Sequence, residues 1–253
     1  MIGKGCAKRL DAITLAKHYV KKSVNSKLLT LTAAIMMLTG GCAPTDTPVR
    51  LVFLGDSITE AGAQPGGYVT LVRHGLEEVY ANRPVDVIGA GISGNKVPDL
   101  QERLERDVLV HDPTHVVIYI GINDVWHHFE FDHVTGTEPD AYAEGLADLV
   151  QTIQGRGAFV WLCTPSVIGE DPGSKAPVNQ RLMEYADITR SVAQAAGAEL
   201  CDLRTAFEQY LATHNASHAY QGILTSDGVH LNEAGNRFVA DFMLEQIREE
   251  LSQ

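Results

Sequence analysis

Five short runs of apolar and β-branched residues recur along this chain, and stretches with helical periodicity separate them. The runs are Val49–Leu54, Val85–Ile88, His115–Ile120, Ala158–Leu162 and Glu199–Leu203. Most lack the alternation of polar and apolar residues that a half-exposed strand shows, so they read as strands buried on both faces of a parallel sheet. Between them, Tyr68, Leu71, Val72, Leu76 and Val79 fall on one helical face, as do Val97, Leu100, Leu104 and Val108. Tyr142, Leu146, Leu149, Val150 and Ile153 form a third stripe, with Pro139 suited to its first turn, and Val178, Leu182, Tyr185, Ile188 and Val192 a fourth. A last helix is expected after Asn232, a good N-cap, with Phe238, Val239, Phe242 and Met243 turned inward. Strands alternating with helices predict an α/β fold, a three-layer α/β/α sandwich around a five-stranded parallel sheet. In such a sheet a ligand site lies beyond the carboxyl ends of the strands. The sequence shows no internal repeat, low-complexity tract or second domain.

Charge divides the chain unevenly. The net charge is −12, yet residues 1–43 carry seven Lys/Arg against a single acid, Asp11, so the remainder stands at −18. So acidic a body would repel phosphates, which argues against a nucleic-acid partner and suits a neutral substrate. The basic start ends at Lys27, and Leu28–Leu38 is an apolar run too short to span a bilayer. Residues 1–43 therefore read as a targeting segment, 44–48 as a short polar tether and 49–253 as the folded domain. The stretch Leu38-Thr39-Gly40-Gly41-Cys42 resembles a bacterial lipoprotein signal, with Cys42 as the lipidated residue. Thr39 stands where such signals usually carry leucine. An ordinary secretory signal, leaving a periplasmic or secreted protein, and an uncleaved anchor are the other readings, and translation could begin at Val24. With Cys6 removed and Cys42 lipidated, Cys163 and Cys201 remain. An exported compartment would permit a disulfide between them, and two buried free thiols are the other arrangement.

Four turns gather the residues that could carry chemistry. Gly55-Asp56-Ser57, Gly91-Ile92-Ser93-Gly94-Asn95 and Gly121-Ile122-Asn123-Asp124 follow the first three strands, and Asp227-Gly228-Val229-His230 precedes the last helix. A serine where a buried strand turns outward has its hydroxyl held at the sheet edge, a common place for a nucleophile. It needs a base, and the base needs an orienting group. The spacing of Asp227 and His230 lets the carboxylate reach Nδ1 while Nε2 points at a neighbour. Oxyanion donors are available in the backbone N–H of Ser57, the backbone N–H of Gly94 and the side-chain amide of Asn123.

These blocks, GDSIT, a glycine in the second turn, G-x-N-D and D-x-x-H, resemble the four blocks of the SGNH (GDSL-type) hydrolases, in order, from Gly55 to His230. The resemblance implies a flavodoxin-like sheet, Ser57 as nucleophile, His230 as base and Asp227 as its orienting acid. It assigns the oxyanion hole to Ser57, Gly94 and Asn123, and it implies neither metal nor organic cofactor. Asp56 and Asp124 match the pattern as structural residues that fix the turns. Gly89-Ala90-Gly91-Ile92-Ser93-Gly94 is formally a dinucleotide motif, but Pro98 delays the helix that should open within it and no acid is placed for a ribose. His127, His128 and His133 lack the carboxylates or cysteines of a metal framework.

The expected protein is thus a serine esterase working outside the cytoplasm through an acyl-enzyme. A loop from Val125 to Glu138, with Trp126, His127, His128, Phe129 and Phe131, is expected to wall the substrate cleft, and Trp126, His127 and Phe129 are the candidate substrate contacts. No long apolar insertion is present to cover a fatty chain, which favours short acyl groups, acetyl above all. The resemblance to the family, whose exported members often act on carbohydrates, implies a carbohydrate or other small alcohol as the other half of the ester. A lysophospholipase or thioesterase is the second reading, and a non-catalytic carbohydrate-binding protein is the reading from another class.

Overall fold

The computed structural model describes residues 48–252 apart from 82, 131–134, 172 and 175. The expected targeting segment with Cys42, residues 44–47 of the tether, and Phe131 and His133 lie outside the described residues.

The sheet is built from β1 (Val49–Gly55), β2 (Val85–Gly91), β3 (His115–Tyr119), β4 (Phe159–Cys163) and β5 (Glu199–Cys201), all parallel, in the order β2-β1-β3-β4-β5. From β1 the chain first steps outward to β2, then crosses back past β1 to β3 and continues the other way. Right-handed crossovers in opposite directions place helices on opposite faces, and this gives the three layers. They also leave a crevice where the direction reverses, between the carboxyl ends of β1 and β3.

On one face α2 (Tyr68–Val79) packs against α8 (Glu233–Leu251); on the other, α3 (Val97–Asp107) packs on α5 (Pro139–Gly155), and α5 on α6 (Pro177–Ala196). Short α1 (Ser57–Gly62) follows β1, and α4 (Ile122–Glu130) follows β3. Leu51, Val52, Phe53 and Leu54 are all buried, as a central strand covered on both faces requires. Each such side chain removed from water contributes about 1.5–3 kcal/mol. The predicted stripes of α3 and α5 are buried throughout. In α2 the buried face is Tyr68, Val69, Val72 and Leu76, while Val79 is exposed at the helix end. In α8 Val239, Ala240, Met243, Leu244 and Ile247 are buried, and Phe238 and Phe242 are only partly so. Asn232 caps that helix, its side chain accepting the Gly235 N–H at 2.9 Å.

Three local expectations change. The run Glu199–Leu203 is a strand only to Cys201, because Asp202 accepts the Thr205 N–H and starts α7 (Leu203–His214). The segment expected as a loop from Val125 is helical through Glu130. The strand expected to stop at Ile88 continues through Gly91, so Gly89-Ala90-Gly91 pair with Phe53-Leu54-Gly55 as sheet residues. Cys163 and Cys201 stand opposite each other in the β4–β5 register, both buried and both free thiols. Burial pushes the Cys163 thiol up, away from the reactive thiolate. Among the described residues no helix is long and apolar enough to cross a membrane.

Candidate active site

Strand β1 delivers Ser57 to the crevice. A Cβ on Gly55 would lie 2.5 Å from the Tyr119 carbonyl and closer still to Thr59, so only glycine lets β1 end against β3. Asp56 then caps α1, its carboxylate accepting the Ile58 N–H at 3.0 Å, and Ser57 becomes the first helical residue. Among the described residues no acceptor takes the backbone N–H of Ser57, one of the first N–H groups of the helix, which have no partner within it.

The turn before α8 brings the partner from 173 residues away: Ser57 Oγ lies 2.9 Å from His230 Nε2. His230 Nδ1 lies 2.7 Å from Asp227 Oδ2. The other carboxylate oxygen accepts the backbone N–H groups of Val229 at 2.9 Å and His230 at 2.7 Å. Burial alone would raise the Asp227 pKa, but these donors, the imidazole first, outweigh it and hold the carboxylate below its usual range. An ionised Asp227 keeps the imidazole proton on Nδ1, which leaves Nε2 as an acceptor for the Ser57 hydroxyl. The side chains of His230 and Asp227 are 35% and 52% exposed, so solvent reaches the pair from the rim.

The second turn is held from three directions. Gly94 has φ +77°, which glycine adopts without strain. Glu60 of α1 accepts the Ser93 N–H at 2.9 Å and also the Ser93 hydroxyl. Arg103 of α3 is buried, and its guanidinium donates to Gly55 O at 2.7 Å, Ala90 O at 2.9 Å and Asn95 Oδ1 at 2.7 Å. Asn123, buried at the start of α4, donates one amide hydrogen to Asn95 O at 3.1 Å. Its second hydrogen remains for a ligand. Among the described residues no acceptor takes the Gly94 N–H.

Asp124 beside it is fully buried and accepts the Val97 N–H at 3.0 Å, fixing the first turn of α3. Burial raises its carboxyl to about 6. The Asp56 carboxyl rises to about 7, chiefly through burial, with neighbouring Asp124 adding to the shift and the Ile58 N–H opposing it. For a carboxyl raised on folding, the folded chain holds more protons than the unfolded chain between about pH 4 and 7, so stability falls as pH rises through that window. Asp56→Asn keeps an oxygen for the cap and removes the titration. Thermal melts from pH 4 to pH 8 are expected to show a shallower decline for this variant than for the parent; parallel curves would exclude Asp56 as the group responsible.

Of the expected substrate contacts, Trp126, His127 and Phe129 all lie on α4, a helix where a loop was expected. Trp126 donates its indole N–H to Glu130 at 3.1 Å, and Phe129 stands exposed. His127 is pulled down in pKa by burial, with the charge of Lys96 adding to the shift. His128 lies within 3.5 Å of Thr137 O. Sequence reasoning missed Arg103, which falls among the apolar positions of α3 between Leu100 and Leu104, a placement that could have marked it. It also missed Glu60 and Glu170, for which no local pattern gives a signal.

Residues 53–238 match the GDSL-like lipase/acylhydrolase family, so the chain belongs to that family and is an ester-bond hydrolase with the α/β fold described above. It is 32% identical to an acetylxylan esterase of Geobacillus stearothermophilus over 211 residues, covering 78% of this chain and 93% of the relative. A mouse isoamyl acetate-hydrolyzing esterase 1 homolog is 28% identical, covering 75% of this chain and 78% of its own. Among solved structures, the acetyl xylan esterase AlAXEase superposes with a TM-score of 0.74 at 40% identity, covering 79% of this chain and all of that one.

Proposed function

We propose that the protein is a serine esterase that removes acetyl groups from a carbohydrate, with Ser57 as nucleophile, His230 as base and Asp227 as its orienting acid. The observation that carries this reading is the unbroken relay from Ser57 Oγ through the His230 ring to Asp227, with contacts of 2.9 and 2.7 Å. His230 Nε2 takes the serine proton as Oγ attacks the acetyl carbonyl. The oxyanion is received by the N–H groups of Ser57 and Gly94 and the amide of Asn123. Collapse breaks the bond to the alcohol, which leaves with the proton from His230, and Ser57 is left acetylated. Water activated by the same imidazole then releases acetate.

The acetyl preference draws support from two kinds of relative, one named for acetylated xylan and one for isoamyl acetate. Trp126 and Phe129 on α4, together with His127, are assigned to the wall of the cleft on its acyl or alcohol side. Initial rates on p-nitrophenyl esters from acetate to palmitate, and acetate release from acetylated xylan, test the assignment. Highest kcat/KM on the acetate is expected; a preference for long chains would overturn it in favour of a lysophospholipase or thioesterase. Asn123→Ala is expected to lower kcat about 100- to 1000-fold, measured on p-nitrophenyl acetate, because it removes a preorganised donor; an unchanged kcat would remove Asn123 from the oxyanion site.

The same reading places the enzyme outside the cytoplasm, with residues 1–43 as the targeting segment, 44–48 as the tether and Cys42 as the point of membrane attachment through a lipid. Intact mass of the mature protein tests this: a chain beginning at acylated Cys42 is expected, and a mature chain that retains residues 1–41 would contradict it.

A further inference from the structure

The last turn of the site belongs to neither a helix nor a strand. Between the end of α7 at His214 and the start of α8 at Glu233, the chain has one isolated pairing, Thr225 with Leu231. Backbone N–H groups in such a segment need partners from elsewhere. A single side chain supplies three of them. Glu170, in the connection after β4, is fully buried. Its Oε2 accepts the Ile223 N–H at 2.7 Å, and its Oε1 accepts the Leu224 N–H at 2.6 Å, the Thr225 N–H and the Thr225 hydroxyl at 2.9 Å.

The backbone around Glu170 adds to this hold. Its N–H donates to Tyr220 O at 2.8 Å, its carbonyl accepts from Asn215 Nδ2 at 2.8 Å, and the Gly169 N–H donates to Gly228 O at 2.7 Å. From Thr225 the contacts run on to the chemistry. The Thr225 hydroxyl oxygen accepts the N–H of Gly228, the residue after Asp227, at 3.1 Å. The next residue, Ser226, donates its N–H to His230 O at 2.8 Å. One carboxylate is therefore linked through the Thr225 hydroxyl to Gly228, inside the Asp227–His230 turn, and Ser226, the residue after Thr225, closes that turn on His230 O.

We infer that Glu170 is a positioning residue for the reaction: it sets the location of the Asp227–His230 pair relative to Ser57 without touching substrate. This rests on the proposed roles of Ser57, Asp227 and His230. A displacement near 1 Å at the reacting atoms costs on the order of 100-fold in rate, so the loss should appear in kcat and leave KM nearly unchanged.

The test compares parent, Glu170→Ala, Glu170→Gln and Thr225→Val. Glutamine keeps an acceptor at Oε1 but turns an N–H toward that of Ile223; valine removes only the hydroxyl relay. Kinetics on p-nitrophenyl acetate are expressed per site labelled by a fluorophosphonate, so unfolded molecules do not count. The low-field proton resonance of the Nδ1–H between His230 and Asp227 is followed alongside, with Asp227→Asn to assign it. Expected kcat losses are on the order of 100-fold for alanine and 10-fold for glutamine and valine, with KM within about twofold and the low-field resonance broadened or lost in folded protein.

Unchanged kcat per labelled site in glutamine and valine variants, with a sharp resonance and only a lowered Tm, would overturn the inference and leave Glu170 as a stability residue. If the alanine variant does not fold, the other two carry the decision. A parent that cleaves no ester would instead count against the proposed function, and the resonance would still decide the role of Glu170.

Discussion

Replacing Ser57 by alanine is expected to lower kcat on p-nitrophenyl acetate by about a million-fold while the protein remains folded. Among the described residues it is the Ser57 hydroxyl that reaches His230 Nε2, at 2.9 Å, and it stands at the first residue of a helix. Without it no acyl-enzyme forms, and the remaining donors can do no more than polarise a carbonyl toward water, worth about 1000- to 10,000-fold over the uncatalysed reaction. The side chain is half-buried and has one polar contact, so its loss is expected to change unfolding free energy by no more than about 1 kcal/mol. Circular dichroism melts beside the kinetics separate loss of chemistry from loss of fold. A folded variant with a tenth of the parent rate would remove Ser57 from the reaction.

The second large effect is expected at Asp227. Asp227→Asn is nearly isosteric, and its amide oxygen still accepts the N–H groups of Val229 and His230, as Asp227 Oδ1 does at 2.9 and 2.7 Å. What changes is the group facing His230 Nδ1, where Oδ2 of the carboxylate is 2.7 Å away. An amide N–H there forces the imidazole proton onto Nε2, and Nε2 then faces the Ser57 hydroxyl as a donor instead of an acceptor. The base is present, correctly placed and in the wrong tautomer. A fall in kcat of about 10,000-fold is expected near neutral pH, with the Tm little altered. A loss below tenfold would show that the depressed carboxylate at position 227 contributes to folding and little to proton transfer.

The sequence made the architecture readable because its two periods separate cleanly. Buried strands such as Val49–Leu54 and stripes such as Tyr142 to Ile153 differ in length and spacing, and their alternation leaves few arrangements of a parallel sheet. The turns could be read for the same reason: each sits just past a strand, where a crossover fold must place its crevice. Other features depend on distance in space and leave no mark in local pattern. The partners of Glu170 are 53–55 residues away in the chain, and nothing near Val167-Ile168-Gly169-Glu170 announces them. Arg103 gains its role because the carbonyls of Gly55 and Ala90 end their strands beside it, 48 and 13 residues earlier. Helix α4 looks like a loop in sequence because aromatic and histidine residues crowd Trp126 to Phe129, and its first turn is fixed by packing of Ile122 and Val125 rather than by a clear stripe. Helix α7 leaves no separate mark because Asp202, the residue directly after the short β5, switches the chain from strand to helix within one step.

The central claim is that one hydroxyl, at the switch point between β1 and β3, forms the bond to the acyl group. Treating the active protein with a fluorophosphonate, digesting it and mapping the adduct by mass spectrometry tests this directly. A single adduct on the peptide carrying Ser57, formed in step with loss of esterase activity and prevented by Ser57→Ala, is the result expected. An adduct on another residue, or full inactivation with Ser57 unmodified, would contradict it.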